Sequence, residues 1–138
     1  MHKLEFSNFV EYDATAQGIE LEVLVSFGKS SIRTRASLDT GAEFSVFQPD
    51  IAEALEIDYR TGRRLEFATA MNSSFTAFGH TLNIACCDVE FEATLYFADV
   101  IGFRRSVLGR TGWLDRLRIG LVHHDNKFYV DGYNNGAF

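Results

Sequence analysis

Residues 36–47 read ASLDTGAEFSVF, and the fold and chemistry of the chain depend on this stretch. An apolar strand runs into Asp39, Thr40 and Gly41, and the sequence then becomes apolar again. Asp, Thr and Gly are common turn residues, so an ordinary turn is one interpretation. The other interpretation is that the carboxylate of Asp39 is the working group of an enzyme.

The length and composition narrow the class of protein. The 138 residues suit one domain, so a single domain over residues 1–138 is predicted, and 46 % hydrophobic residues suffice for a core. The net charge of −6 disfavours a nucleic-acid or anionic-membrane partner, because both attract basic surfaces. No apolar run approaches the ~20 residues of a membrane span. The first residues also lack the uninterrupted apolar core of a secretory signal.

The two cysteines, Cys86 and Cys87, are neighbours in the sequence. A disulfide framework needs spaced pairs, so both thiols are predicted to be reduced and the protein to be cytoplasmic. Adjacent residues on a strand point to opposite faces, so no more than one of these thiols is expected to line a given site.

Alternating hydrophobicity predicts strands along most of the chain. Residues 19–27 and 32–38 alternate on either side of the turn Gly28–Ser31, which predicts a β-hairpin. The outer face of this hairpin brings together four charges that we expect in solvent: Glu20, Glu22, Arg33 and Arg35.

The middle of the chain predicts a short helix and a second hairpin. Pro49 suits a first helical turn, and Ile51 and Leu55 recur at helical spacing. Three more strands are predicted at residues 64–71, 75–86 and 89–97. The first two form a hairpin whose tip lies near Asn72.

The sequence of the last third of the chain predicts short strands and one short helix. Ser106–Arg110 is a strand that ends in glycine, and Thr111 can cap a second short helix around Trp113. A last strand pair is predicted at residues 119–122 and 127–130. The Gly- and Asn-rich tail, residues 131–138, is predicted to be loose. The predicted architecture is therefore a mainly β, barrel-like domain with two short helices.

A carboxylate such as Asp39 can activate water if a second carboxyl group lies beside it. Two carboxyl groups ~3 Å apart share one proton, so the ionised group accepts a proton from water while the protonated group polarises a carbonyl. Gly41 allows a tight turn in which its N–H reaches the carboxylate. The chain contains a single Asp-Thr-Gly, so the second carboxylate must come from another copy, as a two-fold homodimer provides.

Two motifs resemble those of one family. Leu38–Val46 resembles the active-site motif of retropepsins, the one-domain, homodimeric aspartic proteases. Val107–Arg110, ahead of Thr111, resembles the second signature of that family, two apolar residues and Gly-Arg before a C-terminal helix. The order of the predicted elements agrees over residues 19–123. The resemblance implies the closed, mainly β barrel of the retropepsin-like (acid protease) fold, with one or two short helices.

The resemblance also implies roles for individual positions. Asp39 would pair with the same residue of a second copy, Thr40 would lock the two loops together, and Gly41 would hold the carboxylate. The substrate-binding positions would be Ala42, Glu43 and Phe44 in the groove and Met71, Asn72, Ser73 and Ser74 in the flap. The flap would close over the substrate and exclude water. The structural support would come from Ser45, Val107, Leu108, Gly109 and Arg110. An ion pair between Glu43 and Arg110 is a specific expectation.

Three features depart from the retropepsin pattern. Ser37 occupies a position that is usually apolar, and Phe44 occupies one that is often polar, which predicts a more apolar subsite. The flap tip, residues 72–74, lacks the glycines of the viral enzymes. The pattern is closer to a cellular or bacterial retropepsin-like protein than to a viral protease.

Other chemistries have less support. His123, His124 and Asp125 lie in a predicted turn without companion ligands at metal spacing, and no Gly-x-Ser-x-Gly occurs, so neither a metal, a cofactor nor a catalytic serine is predicted. The prediction is a homodimeric, cytoplasmic aspartic endopeptidase that acts on peptides or proteins. A shared proton favours acidic conditions. The alternative is a catalytically silent dimeric module that binds peptide segments in the same groove.

Overall fold

The computed structural model describes residues 1–134. The strands of this part are β1 (Phe9–Glu11), β2 (Glu20–Phe27), β3 (Ser30–Leu38), β4 (Val46–Phe47), β5 (Arg63–Ala68), β6 (Ser74–Cys86), β7 (Val89–Ala98), β8 (Val107–Leu108), β9 (Leu117–Val122) and β10 (Lys127–Gly132). The helical elements are the α-helix α1 (Pro49–Ala54) and three single 3-10 turns, at Tyr59–Thr61, Leu114–Arg116 and His123–Asp125. The fold is mainly β, as predicted.

Seven strands form one sheet in the order β2-β3-β8-β4-β7-β6-β5. The short strands β8 and β4 lie between β3 and β7 in the middle of this sheet: β8 runs parallel to β3, and β4 runs parallel to β7. A further pairing joins β2 to β6, so the sheet curls back on itself. The ends of β3, β4 and β8 therefore meet at one place, where the loop after β3 begins.

Both predicted hairpins form. In the first, β2 pairs with β3, and two exposed ion pairs span its outer face at 3.7 Å each, Arg33–Glu22 and Arg35–Glu20. Solvent-exposed pairs at this distance contribute little to stability. In the second, β5 pairs with β6, and Ala68 lies opposite Ser74 across the turn. This second hairpin is the predicted flap.

The main core fills the inside of the curled sheet. Its fully buried large side chains include Trp113, Phe47, Phe97, Phe128 and Leu108. The helix α1 covers one end of the core, because Ile51 and Leu55 face inward as their helical spacing predicts. A smaller cluster, built around Val46, Ala77, Tyr96 and Ala98, lies beside the flap strands.

A second, three-stranded sheet has the order β1-β10-β9. The pair of β9 and β10 is confirmed, whereas β1 is an addition, with Phe9 opposite Tyr129. The prediction of a loose tail is wrong at Asp131 and Gly132, which belong to β10. Asp131 is buried and accepts a hydrogen bond from the Ser7 N–H at 2.6 Å, which ties the two ends of the described chain together. Residues 135–138 of the predicted loose tail lie outside the described part.

The predicted second helix is wrong in extent and in its cap. Only Leu114–Arg116 forms a 3-10 turn, and Trp113, not Thr111, precedes it, without a side-chain cap. The Gly112 N–H instead donates to Asp115 Oδ1 at 3.1 Å. The turn ends at once because Leu117 is buried as the first residue of β9. None of the helices within residues 1–134 has the length and apolarity needed to cross a membrane.

Candidate active site

Asp39 is the first residue after β3, in the middle of the seven-stranded sheet. Its N–H donates to the Leu108 carbonyl at 3.0 Å, which continues the pairing of β3 with β8. Its side chain is exposed, and Oδ1 accepts a hydrogen bond from the Gly41 N–H at 2.9 Å. The Ala42 N–H donates to the Asp39 carbonyl at 3.2 Å and closes the turn. The loop therefore presents an oriented carboxylate to solvent.

The other side of this loop is clamped by the residues that follow β8. The Arg110 N–H donates to the Ala42 carbonyl at 2.9 Å, and the Thr111 N–H donates to the Glu43 carbonyl at 2.7 Å. Ser45 is fully buried, and its Oγ accepts a hydrogen bond from the Gly109 N–H at 3.0 Å. A short buried side chain thus satisfies a backbone donor that would otherwise be left unpaired.

Gly109 is where the two segments approach most closely. A Cβ at this position would lie 2.3 Å from the Phe44 carbonyl oxygen and 2.8 Å from that of Ala42. Only glycine allows this approach. Leu108 is fully buried beneath the loop, and Val107 pairs with Ser37 and Val46. The five positions predicted for structural support are therefore all in contact with the Asp39 loop or with its flanking strands.

Ser37 departs from the retropepsin pattern without leaving its backbone unsatisfied. It is buried in β3, and its N–H donates to the Ser106 carbonyl at 2.9 Å. Ser106 is also buried, and its Oγ accepts a hydrogen bond from the Gln48 N–H at 3.1 Å. Two buried serines thus lie between β3 and the start of α1.

The expected ion pair between Glu43 and Arg110 does not form in this chain. Both side chains are exposed, and no ion pair within residues 1–134 joins them. Arg110 instead directs its Nε toward the Ala42 carbonyl at 3.5 Å. Thr40 is exposed too. The upper surface of the loop therefore consists of polar groups that face solvent in the single chain.

The flap tip is built from exposed residues and held by local hydrogen bonds. Its four predicted substrate-binding residues are all exposed: Met71, Asn72, Ser73 and Ser74. Asn72 adopts a left-handed φ of 58°, which Asn tolerates better than most residues. The Thr69 N–H donates to the Ser73 carbonyl at 2.8 Å, and the hydroxyls of the two residues lie 2.7 Å apart. A left-handed Asn and a Thr–Ser contact thus take the place of glycines in this turn.

Phe44 connects the Asp39 loop to the flap. Its ring meets Phe67 of β5 at 5.5 Å and Tyr96 of β7 at 5.1 Å, both edge to face. Phe67 stacks on Phe75 of β6 at 5.3 Å, and Phe75 meets Phe103 at 5.5 Å. We call these five rings the flap-base cluster. Phe44 is half-buried within it, so the side chain expected to make a subsite more apolar also supports the two flap strands.

A cleft of about 680 Å³ next to the flap-base cluster was not predicted. Asp99, at its wall, accepts hydrogen bonds from Arg60 at 2.8 Å and from the Tyr59 hydroxyl at 3.0 Å. Arg60 first and Tyr59 second lower the pKa of the Asp99 carboxyl. Burial, followed by the bond to Asp99, raises the pKa of Tyr59. These residues are far from the motif in sequence and carry no local signal, so sequence patterns do not reveal the cleft.

The histidine turn and the cysteines lie away from this site. The His123 ring shares a hydrogen bond with the Tyr12 hydroxyl at 2.5 Å, and residues 1–134 contain no group of three or more potential metal ligands. Cys86 and Cys87 carry no disulfide. The expectation that their side chains point to opposite faces is wrong, because Cys87 lies in the turn after β6 and the two sulfurs are 3.5 Å apart.

Comparison with known proteins supports the fold. No protein-family model matches the chain, and no curated protein matches its sequence. Among solved structures, the EIAV protease complexed with the inhibitor HBY-793 matches with a TM-score of 0.55 and 20 % identity, over 73 % of this chain and 88 % of that one. A retropepsin-like aspartic protease from Rickettsia conorii matches with a TM-score of 0.61 and 17 % identity, over 89 % of this chain and 96 % of that one. The predicted retropepsin-like fold is thereby confirmed.

Proposed function

We propose that this protein is a cytoplasmic aspartic endopeptidase that works as a homodimer, with one Asp39 from each copy. One observation carries the proposal: an exposed carboxylate, held by the Gly41 N–H at 2.9 Å, on a loop that β8 and the residues after it clamp. A carboxylate that only terminated a turn would not need a buried serine and an obligatory glycine behind it. The two unpaired cysteines agree with a reducing compartment.

The chemistry follows from the arrangement of the loop. One chain supplies one carboxylate, so the pair that shares a proton needs a second copy. The ionised member accepts a proton from the attacking water, and the protonated member donates to the scissile carbonyl oxygen. The Gly41 N–H steadies Asp39 Oδ1 in both states. Thr40, whose side chain has no hydrogen bond within the described chain, is available to bond across the two-fold axis.

The substrate is proposed to be an extended peptide or protein segment that lies between the Asp39 loops and the flaps. Met71 is almost fully exposed at the flap tip and offers apolar surface to such a segment. The flap-base cluster, which packs on the flap strands, supplies further apolar surface. The exposed backbone of the flap edge can hydrogen-bond to an extended chain, as in other cases of strand addition.

The decisive experiment compares the wild type with Asp39→Asn on an unbiased peptide mixture across pH 3–8. We expect Asp39→Asn to reduce cleavage by about 10³-fold, because a neutral amide cannot accept the proton of water. The melting temperature should move by no more than about 2 °C, since the side chain is exposed. Asp125→Asn, in the turn between β9 and β10, is the matched control and should keep full activity. Equal cleavage by Asp39→Asn would refute the proposal.

Oligomeric state distinguishes the proposal from a silent module. Sedimentation should show a dimer at assay concentrations, and activity should fall more steeply than linearly on dilution. Wild type that binds extended peptides without cleaving them at any pH would instead establish the peptide-binding alternative. A monomer that cleaves peptides at a rate proportional to its concentration would contradict the shared carboxylate pair.

A further inference from the structure

The turn between β6 and β7 contains two sulfur atoms that the proposed protease chemistry does not use. The Sγ atoms of Cys86 and Cys87 are 3.5 Å apart. The hairpin closes at the pair Cys86–Val89, so Cys87 and Asp88 form a two-residue turn. We propose that Cys86 and Cys87 are a thiol oxidation site, in which hydrogen peroxide converts the two thiols reversibly into a disulfide between neighbouring residues.

The backbone of the turn is what brings the sulfurs together. On a regular strand the side chains of neighbours point to opposite faces. Here Cys87 has a φ of 55° and Asp88 a φ of 62°, both in the left-handed region. Two-residue hairpin turns of this kind favour Asn and Gly, and Asp tolerates them, whereas Cys has no such preference. The left-handed conformation of Cys87 is not explained by the preferences of its own residue type. Strain of this kind points to a functional requirement, and the contact between the two sulfurs is one.

The two sulfurs differ in their burial and therefore in their access to an oxidant. Cys86 is only 4 % exposed and belongs to the main core, whereas Cys87 is half-buried. Two clefts reach Cys87: one of about 440 Å³ beside Tyr12 and Arg35, and one of about 510 Å³ beside Arg33 that Cys86 also lines. The hydrogen bond with Cys86 lowers the pKa of Cys87, and the same bond, followed by burial, raises the pKa of Cys86. Cys87 is therefore the more accessible sulfur and the one that an oxidant reaches first.

The reaction balances with peroxide as the only oxidant. The Cys87 thiolate attacks one peroxide oxygen, the O–O bond breaks, and Cys87 becomes a sulfenic acid while hydroxide leaves. The Cys86 sulfur then attacks the Cys87 sulfur. An S–S bond forms, the S–O bond breaks, and the oxygen leaves as water with the Cys86 proton. In total, two thiols and one peroxide give one disulfide and two waters.

Chain geometry makes the product easy to reduce. Neighbouring Cα atoms across a trans peptide are about 3.8 Å apart, which is below the range of about 4.4–6.8 Å that disulfides usually span. A bridge in this position is strained and returns readily to the dithiol when thiols are supplied. The site lies at the C-terminal end of β6, whereas the flap tip precedes the start of the same strand.

Intact-mass spectrometry of the full chain tests the proposal. After a short exposure to hydrogen peroxide, the wild type should lose two hydrogen atoms, stop reacting with iodoacetamide, and recover both properties after treatment with dithiothreitol. Cys86→Ala should instead stop at the sulfenic acid and form a dimedone adduct at Cys87. Cys87→Ser should lose its remaining thiol about tenfold more slowly than the wild type, because Cys86 is buried.

Three outcomes would overturn the proposal. The first is a stable dimedone adduct as the main product of the wild type. The second is a disulfide only between two chains, visible as a covalent dimer on a non-reducing gel. The third is oxidation of Cys87→Ser as fast as the wild type. Thermal melts of all three proteins show whether the variants are folded. The mass change of the wild type tests the proposal even if a variant does not fold.

Discussion

The Asp39 loop and the flap tip are both turns between strands, yet they are held in different ways. The Asp39 loop is bonded to residues about 70 positions away, through Leu108, Gly109 and Arg110. Among residues 1–134, the flap tip forms hydrogen bonds only within itself, through Thr69 and Ser73, and the four residues from Met71 to Ser74 are exposed. One turn is fixed by the tertiary structure, and the other is fixed by its own residues.

This difference suits a site with a fixed part and a moving part. In the proposed dimer, the carboxylate of Asp39 would have to meet that of the second copy, and distant backbone contacts hold its loop in a defined position. Under the proposed function the flap would open for each substrate, and a tip held by local hydrogen bonds can move as a unit. The flap-base cluster lies between the two, because Phe44 belongs to the Asp39 loop while Phe67 and Phe75 belong to the flap strands.

Gly109→Ala tests the fixed part most severely. The new Cβ would lie 2.3 Å from the Phe44 carbonyl oxygen, so the loop must move, and we expect a loss of about 3 kcal/mol in the free energy of unfolding. Urea denaturation measures it. Gly28→Ala is the control, because Gly28 has a φ of 59° and nothing within 4 Å of an added Cβ. Its cost should be about 1 kcal/mol, from the left-handed backbone alone. Equal losses would show that the close approach does not matter.

Phe44→Ala tests the connection between the two parts. Phe44 is half-buried, so we expect a loss of about 2 kcal/mol in the free energy of unfolding, less than for a fully buried ring. Amide exchange should also accelerate in β5 and β6, since their rings lose a partner. Phe27→Ala, a partly exposed phenylalanine at the end of β2, serves as the control and should cost about 0.5 kcal/mol. If exchange in the flap strands stays unchanged, Phe44 does not support them.

Asp99→Asn tests the contact of Asp99 with Arg60 and Tyr59 at the cleft wall, through the pH dependence of stability. Arg60 and Tyr59 lower the pKa of Asp99, so the ionised carboxylate stabilises the folded state at pH values above its unfolded pKa, about 3.9. That contribution is lost as the pH falls through the lower pKa of the folded state. The wild type should therefore melt above Asp99→Asn at pH 7, and the gap should close once the pH falls below the lowered pKa of the folded state. Calorimetry from pH 2 to pH 7 measures the gap. A constant gap would contradict the ionic origin.

Thr69→Ala should have the smallest effect on stability and a local effect on motion. The free energy of unfolding should change by less than about 0.5 kcal/mol, since the residue lies in an exposed turn. The Met71 N–H loses its acceptor at 3.4 Å, so exchange at the flap tip should become several-fold faster. Hydrogen-exchange mass spectrometry measures this, with Thr81→Ala on the exposed face of β6 as the control. A large loss of stability would mean that the flap tip is not independent of the rest of the chain.

Local patterns predicted most of the large sheet. Alternation and turn residues are enough for the β2–β3 and β5–β6 hairpins, and Pro49 with Ile51 and Leu55 is enough for α1. The Asp39 loop could be predicted as well, because a fixed order of small and acidic residues is required where backbone and carboxylate meet. These features depend on residues that are close together in the sequence, and local sequence patterns predict such features.

The remaining features depend on partners far along the chain. The strand β1 has three residues and no alternation long enough to detect, and it exists because β10 pairs with it. The role of Phe44 in the flap-base cluster requires the position of Tyr96, which no local pattern provides. Thr111 was predicted as a helix cap because the first positions of helices favour Thr. The helix does not form, because Leu117 is already buried as the first residue of β9. The contact of the two cysteines followed from a turn conformation that Cys rarely adopts.

The pairing of β1 with β10 has a consequence for the order of folding. Phe9 lies opposite Tyr129, so this contact joins residues that are far apart in the sequence. The loss of loop entropy delays such contacts, while the hairpins β2–β3 and β5–β6 close over a few residues. We therefore expect the local hairpins to form first and the pairing of β1 with β10 to form last. On the ribosome, this pairing must wait until Lys127–Gly132 has left the exit tunnel, whereas the β2–β3 hairpin can form much earlier in synthesis.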